Sequence, residues 1–544
     1  MSGAGIGAVL RRIDGRGYKA YRELLGVSER VRGVVVRVVR VQGDPYAPPS
    51  VVELRARLRL GRFTLSYPVA VADWIYRRLY RVLRSSSRRL GEGRSGFLGL
   101  PRPSNAMLRR SGVVVEGEYV RMRVWVGLPS RRRRILGDAA RELLLEVLPG
   151  AALRVLEEAV REEGASLRRH IDAWREQEYI RSMLPRRGLV AFVGDGSILP
   201  RRCGGCEEPA EDAVPFESPP SMRVEFSLPT GRSVTGMGVP EGVTVIAGSA
   251  FHGKSTLVQA IAAGVYNHVP GDGRELVVSR RDTLYIQSED GRFISCVDVS
   301  PMVHDLPRGV DTTCFTTSDA SGATSLAASI QEAVEAGARV FILDEDTSAT
   351  NMLYIDERGK PLTRRHTITP VSELAASMKE KGISLIIVST SSAPLLAVAD
   401  RVVVMEDYRP RDATSEAKEL VRRHGVTPGK APYREPRPRI LEAAPSLEKP
   451  RIRAGRLEDK RLQVPVPLEA DIQVYEEAQY HSLEAVARRL AEVRGLYVRE
   501  AVERLEELVA SLISRAPTPA LAEVRGIDIA FMLNRLPGLR TRHP

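Results

Sequence analysis

The sequence predicts an α/β protein in which a core of alternating strands and helices follows an α+β module and precedes a C-terminal helical region. Three features of the 544 residues carry this prediction. From Arg186 to about Asp407, short apolar runs are separated by helical segments, which is typical of a sheet covered by helices. The first third of the chain mixes strand and helix patterns and is strongly basic. After a proline-rich stretch, helical periodicity returns from Leu468 to Ile513.

A chain of this length is expected to form two to four domains. We predict a basic α+β module at 1–180, the core at 181–410, a linker or arm at 411–467 and the helical region at 468–544. No apolar run approaches the roughly 18 residues of a membrane helix, and the first residues lack the apolar core of a signal peptide. Four cysteines are too few for a secreted disulfide scaffold. We therefore expect a cytoplasmic protein with no membrane partner.

The charge is unevenly distributed along the chain. Residues 1–150 hold 30 Lys and Arg against 12 Asp and Glu, whereas the remainder is slightly acidic. This asymmetry indicates a module that binds a polyanion, with RNA or single-stranded DNA as the expected partner. Arginine (72) far outnumbers lysine (9), and Asn and Gln are scarce. That composition is expected of a heat-adapted protein, although a GC-rich genome would also favour arginine codons.

Within the basic module, strands and helices can be predicted one by one. The β-branched run Val34–Val41 and the alternating run Glu53–Leu60 predict two strands joined by a turn-rich connection. A helix is predicted from Val71 to Leu83, alternation returns at Val113–Val126, and residues 137–163 read as one helix.

A phosphate-binding loop is predicted between a strand at 243–247 and a helix at 256–262. The G-x-x-x-x-G-K-[ST] pattern is matched at every fixed position. The expected nucleotide contacts are Gly248, Ser249, Ala250, Phe251, His252, Gly253, Lys254, Ser255 and Thr256. Backbone N–H groups and the helix N-terminus would face the phosphates. Lys254 would reach the β- and γ-phosphates and Ser255 would hold Mg²⁺.

The second half of the predicted site follows the apolar run Val340–Leu343. That run predicts a buried strand, and it ends in Asp344 and Glu345. We expect Asp344 to belong to the Mg²⁺ shell and Glu345, the catalytic residue, to polarise the attacking water. The alternative is a core strand that merely ends in two solvated acids.

Between these elements, Ser321 and Gly322 begin a helical segment, and Asp346–Asn351 follows the two carboxylates. These positions resemble the signature and D-loop of ABC-class ATPases. The chain as a whole is similar to the family described as predicted ATPases of the ABC class, which lack a transporter partner. The blocks that carry this resemblance are Tyr18–Tyr21, Val41–Pro45, Val126–Pro129, Pro215–Pro219, His252–Thr256, Gly264–Glu275, Glu289–Arg292, Ala320–Ser325, Asp344–Asn351 and Asn534–Leu536.

The resemblance implies ATP and Mg²⁺ as ligands and a head-to-tail homodimer. In such a dimer, Ser321, Gly322 and Ala323 of one copy would contact the ATP that the other copy holds. Gln287 is the candidate for the glutamine loop, although Glu289 and Asp290 compete for that role.

Three features depart from the family pattern. Ala320 and Ala323 stand where the signature usually has leucine and a second glycine, and Ser249 and Ala250 replace glycines of the phosphate loop. The predicted switch strand, Leu385–Ser392, carries no histidine, and His366 lies too far upstream to replace it. The resemblance therefore implies slow hydrolysis, unless Thr390 or Ser391 substitutes.

Other motifs in the sequence are less specific. Cys203 and Cys206 have metal-ligand spacing but no second pair, so zinc between subunits and a disulfide both remain open, while Cys296 and Cys314 read as core residues. The glycine-rich run 91–96 is expected to be a flexible turn rather than a phosphate loop. The basic candidates are the arginines at 77, 78, 81, 84, 88, 89, 109, 110 and 131–134, and the aromatic residues Trp74, Tyr76, Tyr80 and Trp125 would either stack on bases or lie in the core.

Two hypotheses for the whole chain follow. The first is an ATPase whose turnover, as a homodimer, moves the basic modules on RNA or single-stranded DNA. The second is a nucleic-acid-binding scaffold that ATP stabilises with little or no turnover. A transporter subunit fits poorly because of the large basic extension before the core, and a kinase would leave the signature and D-loop unexplained.

Overall fold

Two units make up the chain, of which the computed structural model describes residues 5–356, 362 and 365–544. Unit 1 is formed by Met1–Trp174 together with Glu476–Ser482 and Val509–Glu523. Unit 2 is formed by Arg175–Tyr475, Leu483–Leu508 and Val524–Pro544. Each unit is therefore assembled from three separate segments of the sequence.

Unit 1 is built on an antiparallel sheet. Its main path runs, in spatial order, through Ser28–Val31, Val34–Arg40, Ser50–Arg57, Tyr119–Val126 and Leu98–Gly99, and Val113–Glu116 also pairs with Tyr119–Val126. Alternate residues of these strands are buried, which explains the apolar–charged alternation of the sequence. The buried face belongs to the same core as Trp74, Leu79 and Val155.

The helices of unit 1 include the two predicted at 71–83 and 137–163, the second with an interruption, together with others that were not predicted. They are Ile6–Ile13, Arg62–Leu65, Pro68–Ser86, Gly137–Glu142 and Leu148–Arg161, and Ser166–Met183 crosses into unit 2. The helix predicted over 137–163 contains a π-helical turn at Leu143–Val147. Pro149 explains this turn. Proline has no backbone N–H to donate, and its ring clashes with the preceding turn of a regular α-helix.

The predicted α/β core of unit 2 is confirmed. Its largest sheet runs Thr283–Ile286, Val340–Asp344, Ser384–Val388, Val243–Ala247, Arg401–Glu406 and Arg409–Asp412. The first five strands are parallel and the last is antiparallel. The first four are buried throughout, as expected for strands with both faces covered. Their carboxyl ends share one edge of the sheet, and this edge carries the candidate site.

Further elements complete unit 2. A smaller antiparallel sheet runs Arg223–Ser227, Ser233–Pro240, Leu189–Gly194 and Val277–Ser279. The α-helices are Lys254–Ala263, Gly322–Glu335, Thr350–Leu353, Val371–Glu380, Ala393–Val398, Thr414–Arg423 and Gly526–Asn534, while Glu477–Ala487 and Val498–Arg515 each have residues in both units. Short pairs in unit 2 join Ile294–Val297 to Phe315–Thr317 and Ile440–Ala443 to Arg540–Arg542, and Arg451–Arg453, Arg456–Glu458 and Val466–Pro467 form a three-stranded sheet. In unit 1, Ser130–Arg131 pairs with Arg134–Ile135. Further short strands are Ala106–Met107 in unit 1 and Asn267–His268 in unit 2.

The stretch 411–467, predicted as a linker or arm, contains the helix Thr414–Arg423 and several of these short strands. Part of it lies against the core of unit 2. The Tyr433 hydroxyl donates to Gln331 Oε1 at 2.6 Å, and the buried Arg439 guanidinium pairs with Glu335 at 2.7 Å. The domain boundaries given above remain a prediction.

The four cysteines form two disulfides, Cys203–Cys206 and Cys296–Cys314. For Cys203 and Cys206 the structure therefore has a disulfide rather than metal ligands. Cys296 and Cys314 are 18 residues apart in the sequence, and the pairing of Ile294–Val297 with Phe315–Thr317 brings them together. The sequence contained no local pattern that joined this second pair.

Candidate functional site

The phosphate loop connects the central strand Val243–Ala247 to the helix Lys254–Ala263. Gly248 (φ +132°) and Gly253 (φ +93°) adopt backbone conformations that favour glycine. A Cβ atom at Gly248 would lie 2.5 Å from the carbonyl oxygen of Met405. The two glycines thus allow the chain to turn sharply and leave the helix N-terminus facing the loop.

The remaining residues of the loop differ in exposure. Ser249 and Ala250 begin the loop, and Phe251 is 94% exposed with a positive φ of 66°. His252 Nδ1 accepts a hydrogen bond from the Asp407 backbone N–H at 2.8 Å. Thr256, in the first turn of the helix, lines a cavity beside the loop.

Lys254 is folded back over the loop. Its Nζ donates to the carbonyl oxygens of Gly248 at 2.7 Å and Ser249 at 2.8 Å, and the side chain is buried. The ammonium group can exchange these hydrogen bonds for hydrogen bonds to the oxygens of a phosphate bound in the same loop. The loop therefore provides the cation, the N–H groups and the glycine conformations that a triphosphate needs.

Ser255 and Asp344, the two predicted metal ligands, lie together at the edge of the sheet. The Ser255 side chain is close enough to the Asp344 carboxylate to favour its ionised form. Burial raises the pKa of Asp344 above its ordinary value, against the effect of the nearby Ser255 side chain and of the hydrogen bond from the Asp346 N–H. The Tyr285 hydroxyl lies 3.5 Å from the same carboxylate. This oxygen-rich donor set fits Mg²⁺.

Three donors hold the carboxylate of Glu345. Tyr354 Oη donates to Oε1 at 2.7 Å, while Ser389 Oγ at 3.0 Å and the Thr390 N–H at 2.8 Å donate to Oε2. Burial opposes ionisation, but these hydrogen bonds and the charge of Lys254 keep the pKa of Glu345 below its ordinary value. Glu345 is thus a fixed, ionised carboxylate beside the phosphate loop.

The end of the switch strand therefore contacts Glu345 through Ser389 and Thr390. Ser391, the other residue considered as a substitute for the missing histidine, makes no hydrogen bond to Glu345 among the described residues. His366 is exposed and lines a different cavity, together with Asp305 and Arg365.

Gln287 directly follows the strand Thr283–Ile286 and is hydrogen-bonded away from the phosphate loop. Its Nε2 donates to the Ala470 carbonyl at 3.3 Å, and no hydrogen bond among the described residues joins it to the phosphate loop. Glu289 pairs with Arg535, whose charge and hydrogen bonds lower the pKa of Glu289 despite its burial. Asp290 lies beside Gly322, where an added Cβ would be 3.2 Å from Asp290 Oδ1.

The signature residues lie at the start of the helix Gly322–Glu335. Ser321 is its N-cap, and the Ser321 hydroxyl accepts from the Thr324 N–H at 3.3 Å. Gly322 and Ala323 form the first turn and are partly exposed. Nothing in the described part of the chain brings these residues to the phosphate loop of the same chain.

The signature instead lies close to the D-loop. Ser288 links the two, because its N–H donates to the Thr347 carbonyl at 3.0 Å and its hydroxyl accepts from the Ala349 N–H at 2.7 Å. An added Cβ at Gly322 would lie 3.6 Å from Ser288 Cβ and 3.7 Å from Ala349 Cβ.

Sequence reasoning missed several residues of this region. Tyr354 and Tyr285 contact the two carboxylates, but their positions follow no motif that could have identified them. Ser389 is the first residue after the strand Ser384–Val388. Its position at the edge of the same parallel sheet as Glu345 was the available signal.

In unit 1, the structure separates the basic candidates into two groups. Arg77 pairs with Asp73 at 2.7 Å, Arg78 pairs with Glu158 at 2.9 Å, and Arg110 is buried against Asp73. These arginines hold the fold of unit 1. The exposed group comprises Arg81, Arg84, Arg88, Arg89, Arg109 and Arg131–Arg134.

The aromatic candidates divide in the same way. Trp74 and Tyr76 are 1% exposed and lie in the core, so they cannot stack on bases. Tyr80 and Trp125 are half-buried. Tyr46, which the sequence did not single out, is 61% exposed.

The glycine-rich run 91–96 is tightly packed rather than flexible. The Glu92 N–H donates to the Ser130 carbonyl at 3.1 Å, and the Arg94 N–H donates to the Pro45 carbonyl at 2.9 Å. A Cβ at Gly127 would overlap the Arg94 carbonyl oxygen. Three loops, 44–47, 88–97 and 127–134, therefore interlock; we call them the arginine loops.

The family to which the chain belongs is established by comparison with known proteins. Residues 163–438, just over half of the chain, match the P-loop domain of the ABC_ATPase family. Residues 5–159 match the N-terminal region of ATPases of the ABC class. The chain therefore belongs to the ABC-class P-loop ATPases.

Individual proteins that resemble this chain share about a third of its residues or fewer over the aligned part. The uncharacterized protein MJ1628 of Methanocaldococcus jannaschii is 31% identical over 259 residues, which are 45% of this chain and 57% of that protein. The match thus spans little more than half the length of this relative. CbiO1 from Clostridium perfringens, part of the ABC transporter complex cbiONQ, is 17% identical, with 44% of this chain and 95% of that chain covered and a TM-score of 0.25. The ADP form of MJ1267, an ATP-binding cassette of an ABC transporter, is 11% identical, with 44% and 96% covered and a TM-score of 0.25.

Helices long and apolar enough to cross a membrane are absent from the part of the chain that the structure describes.

Proposed function

We propose that the protein binds and hydrolyses ATP with Mg²⁺ as a head-to-tail homodimer, and that this cycle moves its basic modules on RNA or single-stranded DNA. One observation carries the enzymatic part. The Ser255 side chain lies close enough to the Asp344 carboxylate to lower its pKa, and Lys254 contributes charge to the neighbouring Glu345, all at the carboxyl edge of the parallel sheet. A cation, a pair of metal-ligating oxygens and an ionised carboxylate are the groups that phosphoryl transfer to water requires.

Each residue of the site has a distinct task. Lys254 would leave the carbonyls of Gly248 and Ser249 for the β- and γ-phosphate oxygens. Ser255 and Asp344 would hold Mg²⁺, which neutralises charge on the phosphate oxygens when bound. Residues Gly248 to Thr256 would cradle the phosphates through their backbone N–H groups and the helix N-terminus.

Glu345 would orient the water that attacks the γ-phosphorus. The bond from phosphorus to the water oxygen forms, the bond to the β,γ-bridging oxygen breaks, and Glu345 accepts the proton that the water loses. Tyr354, Ser389 and Thr390 hold the carboxylate in one orientation and favour its ionised form. Ser389 and Thr390 thereby provide contacts at the strand end where the family has a histidine.

A second copy of the chain would complete the site. Ser321, Gly322 and Ala323 begin a helix whose N-terminal N–H groups suit an anion. Within this chain, the neighbours of Gly322 are Ser288, Asp290 and Ala349. In a head-to-tail pair, residues 321–323 of one copy would face the γ-phosphate held by the other. Gln287, occupied by Ala470, would have to exchange that partner in order to contribute.

The arginine loops of unit 1 support the nucleic-acid part of the proposal. They present exposed guanidinium groups around an exposed aromatic ring, Tyr46, which suits phosphates and stacked bases of a single strand. The exposed arginines of these loops are Arg88, Arg89, Arg94 and Arg131–Arg134.

The test measures ATP turnover by wild type and by Glu345→Gln, each with and without single-stranded RNA and DNA at moderate salt. We expect one nucleic acid to stimulate wild type, and Glu345→Gln to lose turnover by about 10²–10⁴-fold and to accumulate as a closed dimer. Unchanged turnover and no dimer in Glu345→Gln would refute the role given to this residue.

A charge-matched pair of variants tests the nucleic-acid surface. Changing Arg131–Arg134 to glutamine should lower the dependence of log affinity on log salt concentration by up to about 3, since each single-strand phosphate contact contributes about 0.7. The control changes four exposed arginines of unit 2 to glutamine: Arg422, Arg423, Arg451 and Arg453. Equal losses in both variants would show that only net charge matters.

The alternative is a scaffold in which ATP is a slowly hydrolysed ligand. The absence of histidine from the strand Ser384–Val388 and from the residues that follow it, up to Ser392, favours this candidate. Turnover below about 0.01 per second, with no stimulation by either nucleic acid, would support the scaffold over an enzyme with the usual range of about 1–10³ per second.

A further inference from the structure

The disulfide Cys296–Cys314 is held by two short antiparallel strands of unit 2. Cys296 lies in the strand Ile294–Val297, at a point where the register of the pair shifts and the backbone has a φ of +43°. Cys314 directly precedes the partner strand Phe315–Thr317. The two cysteines differ in burial, since Cys296 is 3% exposed whereas Cys314 is half-buried. Cys314 is therefore the more accessible half of the disulfide.

A histidine reaches the same place from the end of the strand Arg540–Arg542. That strand is fixed there by Thr541, whose Oγ1 donates to the Ser295 carbonyl at 2.7 Å and whose N–H donates to Ser295 Oγ at 3.2 Å. His543 directly follows the strand, is half-buried, and has its Nε2 2.8 Å from the Thr313 carbonyl oxygen. As a result, one nitrogen of the His543 ring and the two cysteine sulfurs all lie within 4.8 Å of one another.

Two sulfur atoms and one imidazole nitrogen are the donor set that zinc prefers. Zn²⁺ binds thiolates at about 2.3 Å and imidazole nitrogens at about 2.0–2.1 Å, in tetrahedral sites. Two sulfurs bound to one such ion lie roughly 3.8 Å apart. Once the disulfide is opened, rotation about the Cα–Cβ bonds of the cysteines separates the two sulfurs toward that distance. Three protein ligands leave the fourth position to a water molecule.

The other disulfide of the chain provides an internal comparison. Cys203 and Cys206 are also joined to each other. In the part of the chain that the structure describes, however, no histidine or carboxylate completes a group of three close ligand atoms with that pair. The donor set suited to a metal ion is thus a property of one disulfide and not of the other.

We propose that Cys296, Cys314 and His543 form a redox-gated metal site, which binds one zinc ion when the disulfide is reduced. The thiolate of a dithiol reductant attacks Cys314 Sγ, the bond between the two cysteines breaks, and Cys296 leaves as a thiolate. The second thiol of the reductant then displaces Cys314, so the reductant becomes a disulfide and the protein holds two thiols. Zn²⁺ replaces the two thiol protons, which pass to the solvent.

The oxidised and metal-bound states hold the last strand differently. In the oxidised state, Arg540–Arg542 is joined to the cysteine strand by hydrogen bonds such as those between Thr541 and Ser295. In the metal-bound state, His543 would add a bond from the end of this strand, through the ion, to both cysteines. Zinc should therefore suppress local opening of the strand in the reduced chain.

The experiment uses Co²⁺ as a spectroscopic substitute for Zn²⁺, because its thiolate charge-transfer band reports sulfur ligation. The variant Cys203→Ser/Cys206→Ser removes the other cysteine pair from the full chain and serves as the background. It is reduced with a dithiol, freed of the reductant by anaerobic gel filtration and titrated, with the oxidised form in parallel. We expect one Co²⁺ per reduced chain, displaced by Zn²⁺, and no thiolate band in the oxidised form.

The variant His543→Ala in this background tests the third ligand and leaves both cysteines in place. Its Co²⁺ affinity should fall about 100-fold or more, because losing even a residue that supports a metal ligand costs about 10–100-fold. His424→Ala, at an exposed histidine elsewhere in unit 2, is the matched control and should bind like the background. Zn²⁺ should slow amide hydrogen exchange in Arg540–Arg542 of the reduced background, but not in His543→Ala.

Three results would overturn the proposal. The first is a reduced chain that gives no thiolate band with Co²⁺. The second is a disulfide that the dithiol fails to open in the folded chain. The third is equal Co²⁺ affinity in the background and in His543→Ala, which would mean that two cysteines alone chelate the ion.

Discussion

Arg535 and Glu289 form a buried ion pair next to the signature helix Gly322–Glu335. Their side chains are 3% and 10% exposed, and Arg535 Nε lies 2.8 Å from Glu289 Oε2, with a second contact through Nη2. Arg535 also donates to the Phe531 carbonyl at 2.9 Å and contacts Ser329 Oγ at 3.3 Å. The pair therefore connects the C-terminal helix Gly526–Asn534 to the segment that precedes the signature.

We predict that Arg535→Met destabilises this region by about 3–5 kcal/mol, because it removes the hydrogen-bonded counter-charge of the buried Glu289 carboxylate and leaves only the weaker influence of Arg292. The double variant Arg535→Met/Glu289→Leu removes both charges. It should be less destabilised than the sum of the single variants by at least about 2 kcal/mol. The Glu289 N–H, which donates to Ser325 Oγ at 2.8 Å, is retained in all three.

The pH dependence has a definite sign. Because Arg535 lowers the pKa of Glu289, the pair stabilises the folded state at pH values above the ordinary carboxylate pKa of about 4.5 and loses this effect as the pH falls through the lowered value. Without Arg535, burial is less well offset, so the pKa of Glu289 should be higher than in wild type and the carboxylate should protonate at a higher pH. The difference between wild type and Arg535→Met should therefore shrink on acidification.

The assay is hydrogen exchange of the amides in Gly322–Glu335 and Gly526–Asn534, which reports local opening without assuming a single unfolding transition. The control is Arg423→Met, since the exposed pair Arg423–Glu419 should contribute less than about 1 kcal/mol. A loss of under 1 kcal/mol in Arg535→Met, or strict additivity in the double variant, would refute the reasoning.

Two further variants test other contacts. Tyr354→Phe removes one of the three hydrogen bonds to Glu345 and should slow ATP turnover on the order of 10-fold with unchanged ATP affinity; a parallel loss of affinity would argue against a positioning role. Gly127→Ala forces a Cβ into the Arg94 carbonyl and should cost about 3 kcal/mol or more, seen as a lower thermal midpoint. Gly150→Ala, at a helical position with open space, should preserve that midpoint or raise it. A midpoint for Gly127→Ala equal to that of wild type would contradict the packing described for the arginine loops.

Part of the site could be predicted because its information is local. The strand, glycine loop and helix around Lys254 occupy some twenty consecutive residues, and Asp344 with Glu345 directly follows a buried apolar run. Hydrophobic periodicity and short sequence motifs predict such segments well. The parallel order of the strands then follows, because helices separate them along the chain.

The remaining contacts depend on residues far apart in the sequence. Tyr354 and Ser389 meet Glu345 only because the chain returns to the same sheet edge, and Arg535 reaches Glu289 from 246 residues away. Periodicity carries no information about such pairings. Whether Trp74 lies at the surface or in the core also depends on distant segments, because composition does not reveal which face of a helix another element will cover.

The class of the core, the phosphate loop and the carboxylates at the strand end could thus be predicted from local patterns, since each depends on spacing within one strand or helix. The tertiary structure alone decided which groups hold Glu345, which cysteines pair and which arginines remain exposed. It also decided that segments from the C-terminal third, such as Val509–Glu523, belong to unit 1. These outcomes depend on packing between distant segments, where burial and hydrogen bonding, rather than local propensity, select the partners.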